Sequence, residues 1–137
     1  MQQKTSPNWS IALKHFLLSG ILFPIVFLLP TAAILNFVFK ITPQSIGAIY
    51  YLIPFPMTVL GIWVGNIVAT RQRSYTAIQS EAILKYSMLF LIISEILSLS
   101  LARNTKISIG FDIGWAVLRI AIYYVIGKKY IAKTIKE

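Results

Sequence analysis

Residues 86–129 read YSMLFLIISEILSLSLARNTKISIGFDIGWAVLRIAIYYVIGKK. Two apolar runs flank a short polar link, and each run holds one charge near its middle, Glu95 in the first and Arg119 in the second. A charge at the centre of a membrane helix costs roughly 2.5–3.5 kcal/mol on insertion scales, so two opposite charges in facing runs call for a common explanation. Glu95 lies six residues before Leu101 and Arg119 eight residues after Phe111. At a rise of 1.5 Å per residue, an antiparallel hairpin puts them about 9 and 12 Å below its turn, at nearly one depth. Ser87, Ser94, Glu95 and Ser98 share one helical face, and Asp112, Ala116, Arg119 and Tyr123 share another. If the faces meet, Arg119 pairs with Glu95, while Ser94, Ser98 and Tyr123 take up the remaining donors and acceptors.

The rest of the chain has the same character. Of its 137 residues, 57% are hydrophobic and 12% charged, about half the charged fraction usual for a soluble domain. Several apolar runs reach the roughly 20 residues that cross a hydrocarbon core. The expected fold class is therefore an all-α integral membrane protein, a single polytopic domain over residues 1–137. Its four transmembrane helices, at about 17–39, 45–69, 82–101 and 111–127, form two antiparallel hairpins. Ser6 and Pro7 read as a helix start. Residues 8–16 mix Lys14 and His15 with apolar side chains, as either a short helix in the headgroup layer or the first turns of the span. His15 then contacts headgroups. The apolar run after Trp9 is too long for a cleaved signal peptide, so the N-terminus is expected to be retained.

Helices 1 and 2 carry prolines, Pro24 and Pro30 in the first and Pro54 and Pro56 in the second. Each removes a backbone hydrogen bond and disfavours helical geometry in the residue before it, so both helices should bend, the second with a true break at Pro54 and Pro56. Beyond that break Gly61, Gly65 and Ala69 recur every four residues, with Asn66 beside them. Such a stripe permits close approach of another helix, and Asn66 could bond across it. Glu81 and Lys85, four apart, are placed to face each other where the third helix begins.

If the N-terminus is cytoplasmic, nine of the 13 basic residues lie on the inner side and three, Lys40, Arg103 and Lys106, on the outer side. That bias favours both termini in the cytoplasm and insertion in the inner membrane. Lys128, Lys129, Lys133 and Lys136 are expected to rest on anionic headgroups of the lipid bilayer. The net charge of +9 is spread over helix ends rather than set among base-reading residues, which argues against nucleic acid. With no cysteine and a single histidine, no metal site or cofactor is expected. Phosphate-loop, zinc-protease and nucleophile-elbow motifs are also absent. The sequence thus points to a small non-enzymatic inner-membrane protein that works through intramembrane helix contacts, as an accessory subunit of a membrane complex or an immunity-type partner. The alternative is a homo-oligomeric small transporter or channel with Glu95 and Arg119 in its pathway.

Overall fold

A computed structural model describes residues 8–71, 75–101 and 109–132. Four helices dominate it: α1 (Asn8–Val38), α2 (Pro54–Thr70), α3 (Ala77–Leu101) and α4 (Ile109–Ala132). Helices α1, α3 and α4 are long and apolar enough to cross a membrane. Helix α2, at 17 residues, is apolar but shorter. This is the helical membrane protein that the composition implies.

Helix α1 begins nine residues earlier than the predicted span. Residues 8–16 form no separate headgroup helix, because Ala12, His15 and Phe16 are buried and the helix runs on unbroken to Val38. The apolar side of this first third packs on α3, which removes any reason to lie flat on a bilayer. The proline distortion takes a specific form. Residues Leu17–Leu22 and Ile34–Val38 widen into π-type turns, and the Phe23 amide bonds to Leu18 O, five residues back. Pro24 has no amide to return to Gly20 O, four residues back, so the ladder opens there.

Lys40 ends the helix in the left-handed conformation at φ +54°, with the Ile41 amide bonding back to Leu35 O at 2.9 Å. The single helix expected over 45–69 is instead three pieces: a turn at Pro43–Ile46, a 3-10 segment at Gly47–Leu52, and α2. Pro54 stands at the start of α2, where its missing amide costs nothing, so the break falls at Ile53. Ser45 closes the small turn through Thr42, with the Thr42 amide donating to its hydroxyl at 2.9 Å.

Helix α3 starts at Ala77, five residues before the predicted 82. The cause is a capping box: the Thr76 amide donates to Gln79 Oε1 and the Gln79 amide to Thr76 Oγ1, both at 3.2 Å. Helix α4 runs past the predicted 127 to Ala132, so Lys128 and Lys129 are exposed helical residues rather than part of a tail. Lys133 and Lys136, the Ser6–Pro7 start and the basic residues Arg73, Arg103 and Lys106 lie outside the described residues. Glu81 and Lys85 are both exposed, and among the described residues the one ion pair is Glu95–Arg119.

In the bundle the first third of α1 packs on α3, its middle packs on α2, and α4 lies against both α2 and α3. Two clusters form the core. Ala12, Tyr75, Ile83 and Ile131 fill the end near the α2–α3 link; Phe16, Ile62, Leu91 and Tyr123 fill the middle. Gly61 and Gly65 make the tightest seam. A Cβ on Gly61 would lie 2.5 Å from the Pro24 backbone, and one on Gly65 would lie 2.5 Å from Ser19 Cα. Large apolar side chains cover the outside, Phe37 and Leu101 among the most exposed. In water such a surface would be a liability, and against lipid tails it is the required solvent-facing layer.

Candidate functional site

Arg119 is the centre of the polar interior. Its Nη1 lies 2.8 Å from Glu95 Oε1, joining α4 to α3. Its Nη2 donates to Gly20 O on α1 at 2.5 Å. That carbonyl is the one whose helical partner would be the amide of residue 24, and residue 24 is a proline. The proline therefore creates an acceptor inside the membrane and the guanidinium fills it, so one side chain ties three helices. Glu95 is buried and Arg119 half-buried.

The partners proposed for this pair from the sequence go elsewhere. Ser94 Oγ donates to Leu91 O of its own helix at 2.8 Å, and Ser98 is exposed. Tyr123, fully buried, sits one turn from Arg119 and belongs to a second group. Its hydroxyl lies 3.0 Å from Ser19 Oγ and 3.2 Å from His15 Nδ1, while Ser19 donates to His15 O at 2.6 Å. His15 is 2% exposed and lies edge-on to the Tyr123 ring, 6.3 Å between centroids. The headgroup role expected of His15 is thus replaced by one in the core. The π-type turn at Leu17–Leu22 carries both Ser19 and Gly20, so one backbone irregularity serves both polar groups. Spacing in the sequence carries a partial signal for this, since His15 and Ser19 are four apart and Gly20 is four before Pro24.

Asn66 is fully buried but does not bond across to another helix: its Nδ2 donates to Ile62 O, one turn back, at 2.8 Å. Ala69 is buried with Gly61 and Gly65 on the same face. Lys128 lies over the Tyr124 ring, 5.8 Å from its centroid, with Lys129 exposed beside it.

On the other side of Arg119, towards the 110 end of α4, the helices part. A cavity of about 380 Å³ opens between the middle of α1, the start of α2 and α4. Pro24, Pro54 and Thr58 line one wall, while Asp112, Trp115 and Arg119 project from α4 on the other. Tyr50 also lines it and donates from its hydroxyl to Asn36 Oδ1 at 3.2 Å. Pro56 is exposed and takes no part. The size lies within the usual range for small-molecule pockets, and a mostly apolar wall with a few convergent polar groups is the usual lining. Among the described residues no group of histidine and carboxylate side chains could hold a metal ion.

Compared with known protein families, curated proteins and solved structures, the chain matches none.

Proposed function

We propose that this chain is a non-enzymatic membrane protein that binds a small solute in the Arg119 cavity and carries it across the bilayer. One observation carries this reading above simple helix contact: the buried ion pair has an open side. Glu95 anchors Arg119 from behind, and Arg119 in turn lines a cavity bounded by Pro24, beside the π-type turn of α1, and Pro54, at the start of α2. Broken helices and ionisable side chains in one layer are the usual materials of a transport site, because they place polar groups where lipid supplies none.

The topology proposed with it has four membrane crossings. Helix α2 alone rises about 25 Å, and the Gly47–Leu52 turn before it supplies the remaining depth. Both termini face the cytoplasm of the inner membrane, by the distribution of basic residues. A reporter fused after residue 137 is expected to be active only as a cytoplasmic fusion. The functional test is solute flux into proteoliposomes, with Ile25→Trp as the blocking variant. Ile25 lines the cavity but is 45% exposed, so a larger side chain can occlude without disturbing the core. Flux in the wild type that Ile25→Trp abolishes supports the reading, and liposomes tight to cations, anions and neutral solutes alike overturn it.

A second reading, an accessory or immunity-type partner of another membrane protein, is favoured by one feature. Gly110 and Gly114 have nothing within 4 Å of an added Cβ and border an apolar groove of about 580 Å³ with Phe55 and Leu118. Small residues four apart are a common seat for a second helix. Purification in mild detergent that recovers one defined membrane protein in fixed ratio would favour this reading.

A further inference from the structure

The charges around the cavity are unequal. Arg119 is already compensated by Glu95 at 2.8 Å and has given a further donor to Gly20 O. Asp112, two turns away on the same face of α4, lines the cavity, and among the described residues no cation pairs with it. Among the described residues of this layer, Glu95, Arg119 and Asp112 carry the charges, and Asp112 is the carboxylate that no cation pairs with. Three aromatic residues, Tyr50, Phe111 and Trp115, line the same cavity as that carboxylate. A carboxylate that shares a cavity with aromatic rings is suited to an organic ammonium, because both the charge and the ring quadrupoles attract it.

We infer that the cavity binds a small amphiphilic cation, with its ammonium head at Asp112 and its apolar body along Ile21, Pro24 and Ile25. This deepens the solute-binding reading and rests on it. An anionic ligand could meet only the Arg119 donors left over from Glu95 and Gly20 O, and it would share the cavity with the Asp112 carboxylate, which repels it. A neutral ligand of the same shape would fill the apolar wall and leave the Asp112 charge uncompensated. The helix dipole favours a negative charge in the first turn of α4, where Asp112 stands, so the carboxylate is suited to wait for its ligand.

Three probes of one shape decide the matter. Phenyltrimethylammonium, its neutral counterpart tert-butylbenzene and benzenesulfonate are titrated by saturation-transfer NMR into the full chain in nanodiscs of uncharged lipid. The ammonium is expected to bind at least about tenfold more tightly than the neutral isostere. Asp112→Asn should erase that preference and Asp112→Glu should keep it, with unchanged melting temperatures showing that both variants fold. Tighter binding of benzenesulfonate, or an ammonium preference that survives Asp112→Asn, overturns the inference; if Ile25→Trp still blocks binding in that case, the solute-binding reading stands. If Ile25→Trp leaves the binding of all three probes unchanged, both fall together.

Discussion

The polar interior consists of two layers one helical turn apart, and they are built in opposite ways. The layer of His15, Ser19 and Tyr123 is closed: each group is buried and the three bond to one another within 3.4 Å. The layer of Arg119 is closed on its Glu95 side and open on its cavity side. The difference comes from the neighbouring backbones. Gly65 brings α2 against Ser19 with no room for a Cβ, so the helices exclude everything but each other's polar atoms. One turn along, Gly61 meets Pro24; beyond that contact α2 comes to its N-terminal end at Pro54, and the cavity opens between the two prolines and α4. A small residue thus seals the first layer, and proline unseals the second.

The largest expected effect tests the sealed side of the Arg119 layer. Glu95→Ala leaves a guanidinium in the membrane without its counter-charge and should cost about 3–5 kcal/mol in detergent unfolding. The double variant Glu95→Ala/Arg119→Met should recover part of it, because no unpaired charge is then left, although Gly20 O loses its donor and the smaller alanine side chain leaves space. If the double variant is as unstable as the sum of the singles, the two side chains do not act as a pair. Next comes the seal of the other layer. Gly65→Ala places a Cβ 2.5 Å from Ser19 Cα and 3.0 Å from Leu18 O, both backbone atoms, so a helix must move. Overpacking of this kind costs typically about 1–3 kcal/mol and should loosen the His15 layer, which proteolysis or hydrogen exchange over residues 12–20 would reveal.

Parts of this contrast are legible in the residues alone. Counting along the hairpin brings Glu95 and Arg119 to one depth, and the Gly61, Gly65 and Ala69 spacing marks a face for close approach. The position of the break follows from two prolines in three residues. What the sequence hides depends on which helix lies behind which. Lys14 and His15 form an amphipathic pattern that headgroups or a core could satisfy equally; only the burial of Ala12 and Phe16 against α3 decides it. Ser94 and Ser98 share a face with Glu95, yet Ser94 turns to its own backbone and Ser98 to the exterior, because α4 covers only part of that face. A cavity is not a property of any residue, so Asp112 could be placed on the right face without its surroundings being visible. The start of α3 was written in the chain by Thr76 and Gln79, three apart, in a stretch whose polarity otherwise reads as a loop.

Tyr123→Phe removes one hydroxyl from the sealed layer, while Ser19 Oγ keeps its bond to His15 O and its contact with His15 Nδ1. The loss should be about 0.5–1.5 kcal/mol, the net worth of a typical hydrogen bond. Arg119 should keep its contacts, since they go to Glu95 and Gly20 O rather than to the Tyr123 hydroxyl. Ammonium binding within a factor of about two of wild type would show that the layers are independent, whereas a larger loss would join them into one network and weaken the contrast between a closed and an open half.

The smallest effect is expected at Gly114, and it bears on what lies outside the bundle. An added Cβ there meets nothing within 4 Å, so Gly114→Ala brings no clash within the chain. Replacing glycine by alanine in a helix interior usually stabilises by roughly 0.5–1 kcal/mol, since the unfolded backbone loses freedom. Thermal unfolding of the isolated protein should therefore show a small gain. The same substitution distinguishes lipid from protein in the groove. Lipid tails adapt to one methyl group, so activity in membranes would be unaffected; a partner helix seated at Gly110 and Gly114 approaches too closely to accept it. Gain of stability in detergent together with loss of activity in native membranes would assign the groove to a second protein, and would make the open face of α4, rather than the cavity behind it, the place where this chain meets its partner.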